Sequence, residues 1–191
     1  MRCPVCRPTR SLDLDPLEEG RLAARRCPNC GGHWIRAADF WRWRAQLGGP
    51  VPEVPPPLAD PVANDPGAQE MTSLRICPDC DFILARYKVG RGVPFTVDRC
   101  RNCDGAWLDG GEWETLRARG LHDDLPLIFD DAWQRSVRRE ARAQATEDSF
   151  LRRLGEADYQ RAREVRAWLD PHPLRSELFA YLQLERRRAE E

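Results

Sequence analysis

Lysine is almost missing from this chain: Lys88 is the only one among 191 residues, and all other basic charge is arginine. Arginine suits phosphate and carboxylate recognition better than lysine. The bias is spread along the whole chain, as codon usage would leave it, so it marks no site. Long apolar runs are missing too. No stretch approaches the roughly 18 consecutive apolar residues of a membrane span. The start, MRCPVCRPTR, lacks the apolar core of a secretory signal. No Asn-x-Ser/Thr glycosylation site occurs. These absences predict a cytoplasmic chain with no membrane partner, in a compartment that keeps thiols reduced. Charge excess is lacking as well. The formal net charge of −1 argues against a general polyanion binder. No HExxH, P-loop or GxSxG signature is present, so no enzyme is expected.

What the chain does have is ordered cysteine. Cys3, Cys6, Cys27, Cys30, Cys77, Cys80, Cys100 and Cys103 form four Cys-x-x-Cys pairs with none left over. Within each half the pairs lie about 20 residues apart, close to a known zinc spacing. A Cys-x-x-Cys turn aims two sulfurs at one point, with backbone N–H groups facing them. Two such turns supply a tetrahedron of thiolates, and zinc then needs no other ligand. Two zinc ions per chain are expected. Iron also fits a tetrahedral sulfur site and is the less favoured metal. His33 adjoins a knuckle but is not expected to ligate, because four sulfurs fill the site and the second half has Ala106 there.

The two halves repeat. A shift of 73 residues places Cys27, Cys30, Gly32, Trp34 and Ile35 on Cys100, Cys103, Gly105, Trp107 and Leu108. Asp39 and Phe40 fall on Glu112 and Trp113. The first turns, CPVC and CPDC, align with a shift of 74. The repeated unit is about 45 residues, too small to bury a sufficient core alone. Metal binding then supplies folding energy, on the order of 10–16 kcal/mol per structural zinc.

Inside the second copy, FILARYKV and VPFTVDR flank GRG and read as a hairpin. Gly90 and Gly92 mark its turn and carry no dinucleotide fingerprint. Gly105 is expected to take a left-handed turn closing the knuckle. Trp107 and Leu108 are expected to cover the hairpin, with Trp34 and Trp107 as core residues rather than ligand platforms. Asp109 and Glu112 have the spacing of a capping box, and Trp113 and Leu116 should face inward from the helix that follows. The first copy has Arg36-Ala-Ala-Asp39 at that point, so its cap is missing. Its hairpin is weaker, with Leu12, Leu14 and Leu22 as the clear apolar positions.

CPDC…RCRNCDGAWLDGGEW, and more loosely CPVC…RCPNCGGHW, resemble the TFIIB-type zinc ribbons, known from bacterial proteins as transcription-factor zinc fingers. The second copy departs from the pattern at Arg101 and Asp104. The first replaces Leu-Asp-x-Gly-Glu with IRAAD. The resemblance covers roughly 1–47 and 74–120 and implies zinc binding, with a role in transcription as its looser implication. The expected fold is a small metal-stabilised α+β protein. Two tandem four-cysteine zinc ribbons, each a β-hairpin plus a short helix, precede an α-helical C-terminal tail.

The domain reading is ribbon 1 at 1–47, a linker at 48–73, ribbon 2 at 74–120 and a helical region at 121–191. Residues 48–70 hold seven of the sixteen prolines and read as a spacer. In the tail, Asp130 and Asp131 could cap a helix with Trp133, Val137 and Ala141 on one stripe. A second helix places Tyr159, Ala162, Val165 and Leu169 on one side, with Trp168 beside them, and Asp170-Pro-His-Pro173 breaks it. A third has Leu174, Leu178, Tyr181 and Leu182 as its face. From 134 to 191 there are 13 arginines and 11 acids, alternating as on solvated helices. The terminal ERRRAEE is too short and balanced for a nucleic-acid tail.

The leading expectation is a non-catalytic, zinc-binding protein whose ribbons dock on a macromolecule. A protein partner is expected. Nucleic acid, if bound, would meet ribbon 1, which has nine arginines and five acids, a difference of 9 − 5 = +4. There Trp41, Arg42, Trp43 and Arg44 interleave as a candidate stacking and phosphate surface. Two alternatives stand beside it. One is a scaffold working through, or self-associating by, the helical tail. The other is a thiol switch that releases zinc on oxidation.

Overall fold

The computed structural model describes residues 1–6, 11–48 and 74–184. The linker at 48–73, apart from Gly48, and the ERRRAEE terminus lie outside the described residues. The chain forms two compact units, Met1–Arg139 and Glu140 onward.

In chain order the first copy contributes β1 (Asp13–Leu14), β2 (Arg25–Arg26), β3 (His33–Ile35) and α1 (Ala37–Leu47). The second contributes β4 (Leu84–Gly90), β5 (Val93–Cys100), β6 (Ala106–Leu108) and α2 (Glu112–Ala118). All six strands join one antiparallel sheet in the order β1-β2-β3-β6-β5-β4. The β4–β5 hairpin forms where expected. Val89, Val93, Phe95 and Val97 are buried, each contributing roughly 1.5–3 kcal/mol of apolar burial. The first copy's hairpin strands, β1 and β2, are two residues long because LDLD and RLAARR give them little apolar surface. Leu22 and Ala24 are buried, while Leu14 is exposed.

The copies are not independent ribbons: β3 pairs with β6, setting Trp34 opposite Trp107. Trp107 clusters with Leu84 and Cys100 of its own hairpin and also reaches across the seam. Its ring rests on Gly32 of the first copy, and the ring of Trp34 rests on Gly105 of the second. A Cβ at Gly32 would stand 2.3 Å from Trp107 Cζ2, and one at Gly105 would stand 2.3 Å from Trp34 Cζ2. Gly105 is therefore needed for close approach. The left-handed residue of that knuckle is Asp104, with φ 59°. Asp104 and Asp81 take this conformation at the tolerable cost that Asp shares with Asn.

Behind the sheet, α1 and α2 bury Phe40, Trp43, Trp113 and Leu116 with Ile35 and Leu108. The Trp43 and Trp113 rings meet edge to face at 5.9 Å, a favoured aromatic geometry. Asp109 does not cap α2. The N-cap is Gly111 at φ 86°, and Asp109's carboxylate is drawn away to Arg75 and Trp107. Half of the box survives, since Asp109 N donates to Glu112 Oε2 at 2.7 Å. α1 starts uncapped at Arg36.

The first unit continues past 120. α3 (Leu125–Ile128) and the opening of α4 (Asp131–Leu154) pack onto the hairpin. Asp130 caps α4 through Ala132 N at 2.6 Å. Trp133 and Val137 are buried as the stripe predicts, whereas Ala141 is exposed. Trp133 Nε1 donates to Val89 O at 2.8 Å, and Gln134 Nε2 donates to Lys88 O and Ile128 O.

In the second unit, α5 (Glu156–Leu169) follows Gly155, and α6 (Arg175–Leu182) follows the expected break. Tyr159 and Arg166 of α5 both bond to Glu147 of α4, at 2.5 and 3.1 Å. Leu169 is the one buried residue among the described residues of this unit. Val165, Trp168, Leu174, Phe179, Tyr181 and Leu182 are exposed. Among the described residues no helix is long and apolar enough to cross a membrane.

Candidate metal centres

The chain holds two four-cysteine sites, Cys3/Cys6/Cys27/Cys30 and Cys77/Cys80/Cys100/Cys103. Each has its sulfurs within 4.8 Å of one another. Cys3 and Cys30 Sγ lie 3.7 Å apart, Cys77 and Cys103 3.5 Å, and Cys80 and Cys100 3.4 Å. A tetrahedral zinc with Zn–S of about 2.3 Å would set sulfurs about 3.8 Å apart. The quartets therefore fit such an ion with small adjustments. All eight thiols are free of disulfides. In each pair the first cysteine is buried and the second half-buried.

The knuckles supply the second layer. Val5 N and Cys6 N donate to Cys3 Sγ, and Asn29 Nδ2 donates to Cys6 Sγ. Asp79 N and Asn102 N donate to Cys77 and Cys100 Sγ. Such bonds stabilise thiolates and orient ligands. Without a cation, burial pushes the thiols of Cys3 and Cys103 up to about 11, and those of Cys30 and Cys77 higher still. Burial also opposes ionisation of Cys27 and Cys80, but knuckle N–H groups and neighbouring thiols outweigh it and bring both to about 7. A pocket that resists four thiolates unless a cation compensates them is the chemistry of a metal site. No coordination position remains for substrate or water once four sulfurs bind, as in structural centres.

Both quartets and both tryptophans belong to one buried cluster. Asp79, inside the CPDC knuckle, accepts from Trp34 Nε1 at 2.9 Å and from Arg36 Nε and Nη2 at 3.1 and 3.0 Å. Burial pushes its carboxyl up. Arg36 and Trp34 outweigh that and hold it below the usual carboxylate range. On the other side, Arg75 is buried between Asp98, at 2.7 Å, and Asp109, at 3.0 and 2.9 Å. His33 is buried 3.8 Å from Asp15 and joins neither quartet. Burial lowers its pKa and favours the neutral ring.

The candidate partner surface is split by the fold. Trp41 is 48% exposed, and Arg42 points outward onto Asp39 at 2.9 Å. Trp43 is 1% exposed and Arg44 7%. The four side chains therefore do not share one stacking and phosphate face. Sequence reasoning missed Asp79, Arg36 and Arg75. The one signal for Asp79 was the turn sequence itself, CPDC where the first copy has CPVC with Val5.

The family described as Transcription factor zinc-finger, a TFIIB-type zinc ribbon, matches residues 2–46. No curated protein and no solved structure matches the chain. The second quartet lies outside the matched segment. Its likeness to the first rests on the shared spacing, the shared sheet and the Trp–Gly exchange. The chain thus carries two four-cysteine metal sites of zinc-ribbon type, the first of them inside a segment that matches a transcription-factor zinc-finger family.

Proposed function

We propose that the protein is a non-enzymatic docking protein of a reducing compartment, the cytoplasm, in which two zinc ions are structural. The observation that carries this reading is the closure of both sites by four sulfurs. Catalytic zinc keeps an open position, and these sites leave none.

The partner is a protein, met through α5 and α6. Val165, Trp168, Phe179, Tyr181 and Leu182 stand exposed there, more apolar surface than a solvated helix pair needs. The ribbon aromatics, by contrast, are largely turned inward. With Trp43 and Arg44 buried and Arg42 bound to Asp39, ribbon 1 offers little for nucleic acid. The description of the family matching residues 2–46 supports a link to transcription.

The test is affinity purification of the full chain from its native host, with and without nuclease, beside Val165→Glu/Phe179→Glu. A protein partner retained after nuclease and lost in the double variant, which still holds two zinc ions, is expected. Loss on nuclease treatment would favour nucleic acid. A partner unaffected by the double variant would move the docking surface to the ribbons. Sedimentation of the same samples separates a foreign partner from a second copy of the chain.

A further inference from the structure

Three features tie the two metal sites together. The first is the β3–β6 pairing, which makes one sheet of both copies. The second is the crossed packing. Trp34 lies on Gly105, two residues after Cys103, and Trp107 lies on Gly32, two residues after Cys30. The third is Asp79, which belongs to both copies at once. Its backbone N–H faces Cys77 Sγ at 3.4 Å. Its carboxylate receives Trp34 Nε1 and a two-bond contact from Arg36, both on the first copy. The matching turn of the first copy has Val5, which offers no such acceptor, so the bridge runs one way.

We infer that the two sites load zinc as a coupled pair, and that Asp79 is the positioning residue that carries the coupling. This rests on the reading of both quartets as zinc sites. The Cys77-Pro78-Asp79-Cys80 turn takes its shape when its two sulfurs converge on a cation. That shape points the Asp79 carboxylate at Trp34 and Arg36. Trp34 is then held at the seam next to the first quartet, with its ring against the second knuckle. A filled second site thereby prearranges the first module. By reciprocity a filled first site, which fixes β3 and Trp34, favours the conformation of the second turn. Coupling free energies between sites typically correspond to about 5- to 150-fold in affinity, and a contact of three hydrogen bonds, all to the Asp79 carboxylate and so charge-assisted, falls within reach of that range.

The experiment titrates metal-free full-length chain with zinc and counts zinc per chain by native mass spectrometry. Independent equal sites put about half of the chains in the one-zinc state at half-saturation. A hundredfold coupling leaves about one tenth there. The expected wild-type result is a one-zinc population well below half. Asp79→Ala and Trp34→Phe, the second an aromatic replacement that cannot donate, should each raise it at least twofold. Both variants should still take two zinc ions at saturation, which reports that they fold.

A wild-type one-zinc population of half or more overturns the coupling and leaves two structural sites standing. A low one-zinc population that neither variant changes overturns the role of Asp79. A wild-type chain that never takes two zinc ions overturns the coupling together with the reading beneath it.

Discussion

Glu112 is a carboxylic acid in a place that disfavours its charge. It is 6% exposed, it neighbours Asp109, and its carboxyl accepts from the Asp109 N–H. Burial first, and the Asp109 carboxylate second, push its pKa up from 4.5 to about 8. The folded chain therefore keeps a proton on Glu112 that the unfolded chain releases above 4.5. Stability from this group is fully present below pH 4.5 and declines as pH rises towards 8. Glu112→Gln mimics the protonated form. Urea unfolding at saturating zinc should show the variant gaining on the wild type from about pH 5 to about pH 8, then a constant gap. A gap that does not vary with pH would mean that Glu112 is ionised in the fold.

At the scale of elements, α4 is held to the β4–β5 hairpin by few residues, with Trp133 the largest of them. Its ring is buried, its Nε1 bonds to Val89 O, and Arg91 lies 4.5 Å from its centroid. Trp133→Ala should cost about 3–5 kcal/mol, read as a lower unfolding midpoint of the zinc-loaded chain with zinc stoichiometry unchanged. The hairpin itself was legible in the sequence, because alternating Val and Phe around a glycine turn is a local signal. The α4 stripe was legible for the same reason. So were the eight cysteines, since a shared ion ties their spacing to their geometry. What could not be read were relations between copies. Nothing in a repeated Trp and Gly says that each tryptophan will rest on the other copy's glycine. Asp109 had the spacing of a cap, but a buried arginine 34 residues away competed for it. The WRWR stretch reads as one surface only until the second copy packs against α1 and covers half of it.

For the molecule as a whole, magnitudes decide what the metal does. A domain is stable by about 5–15 kcal/mol, and a structural zinc contributes on the order of 10–16 kcal/mol in small modules. Two ions therefore match or exceed the net stability available to Met1–Arg139. A strong chelator should collapse the near-ultraviolet signal of the buried tryptophans, and zinc should restore it. A spectrum unchanged at zero bound metal would show that the apolar core alone suffices. Metal analysis in the same experiment tells zinc from iron, with two zinc ions per chain expected.

The register of the β3–β6 seam has one more consequence. His33 faces Leu108, Trp34 faces Trp107 and Ile35 faces Ala106, so the tryptophan sits across from its own duplicate and its flanking positions trade places. Two separate chains related by a twofold axis would make the same join. The duplicated chain is, in this respect, a dimer whose subunits have been fused.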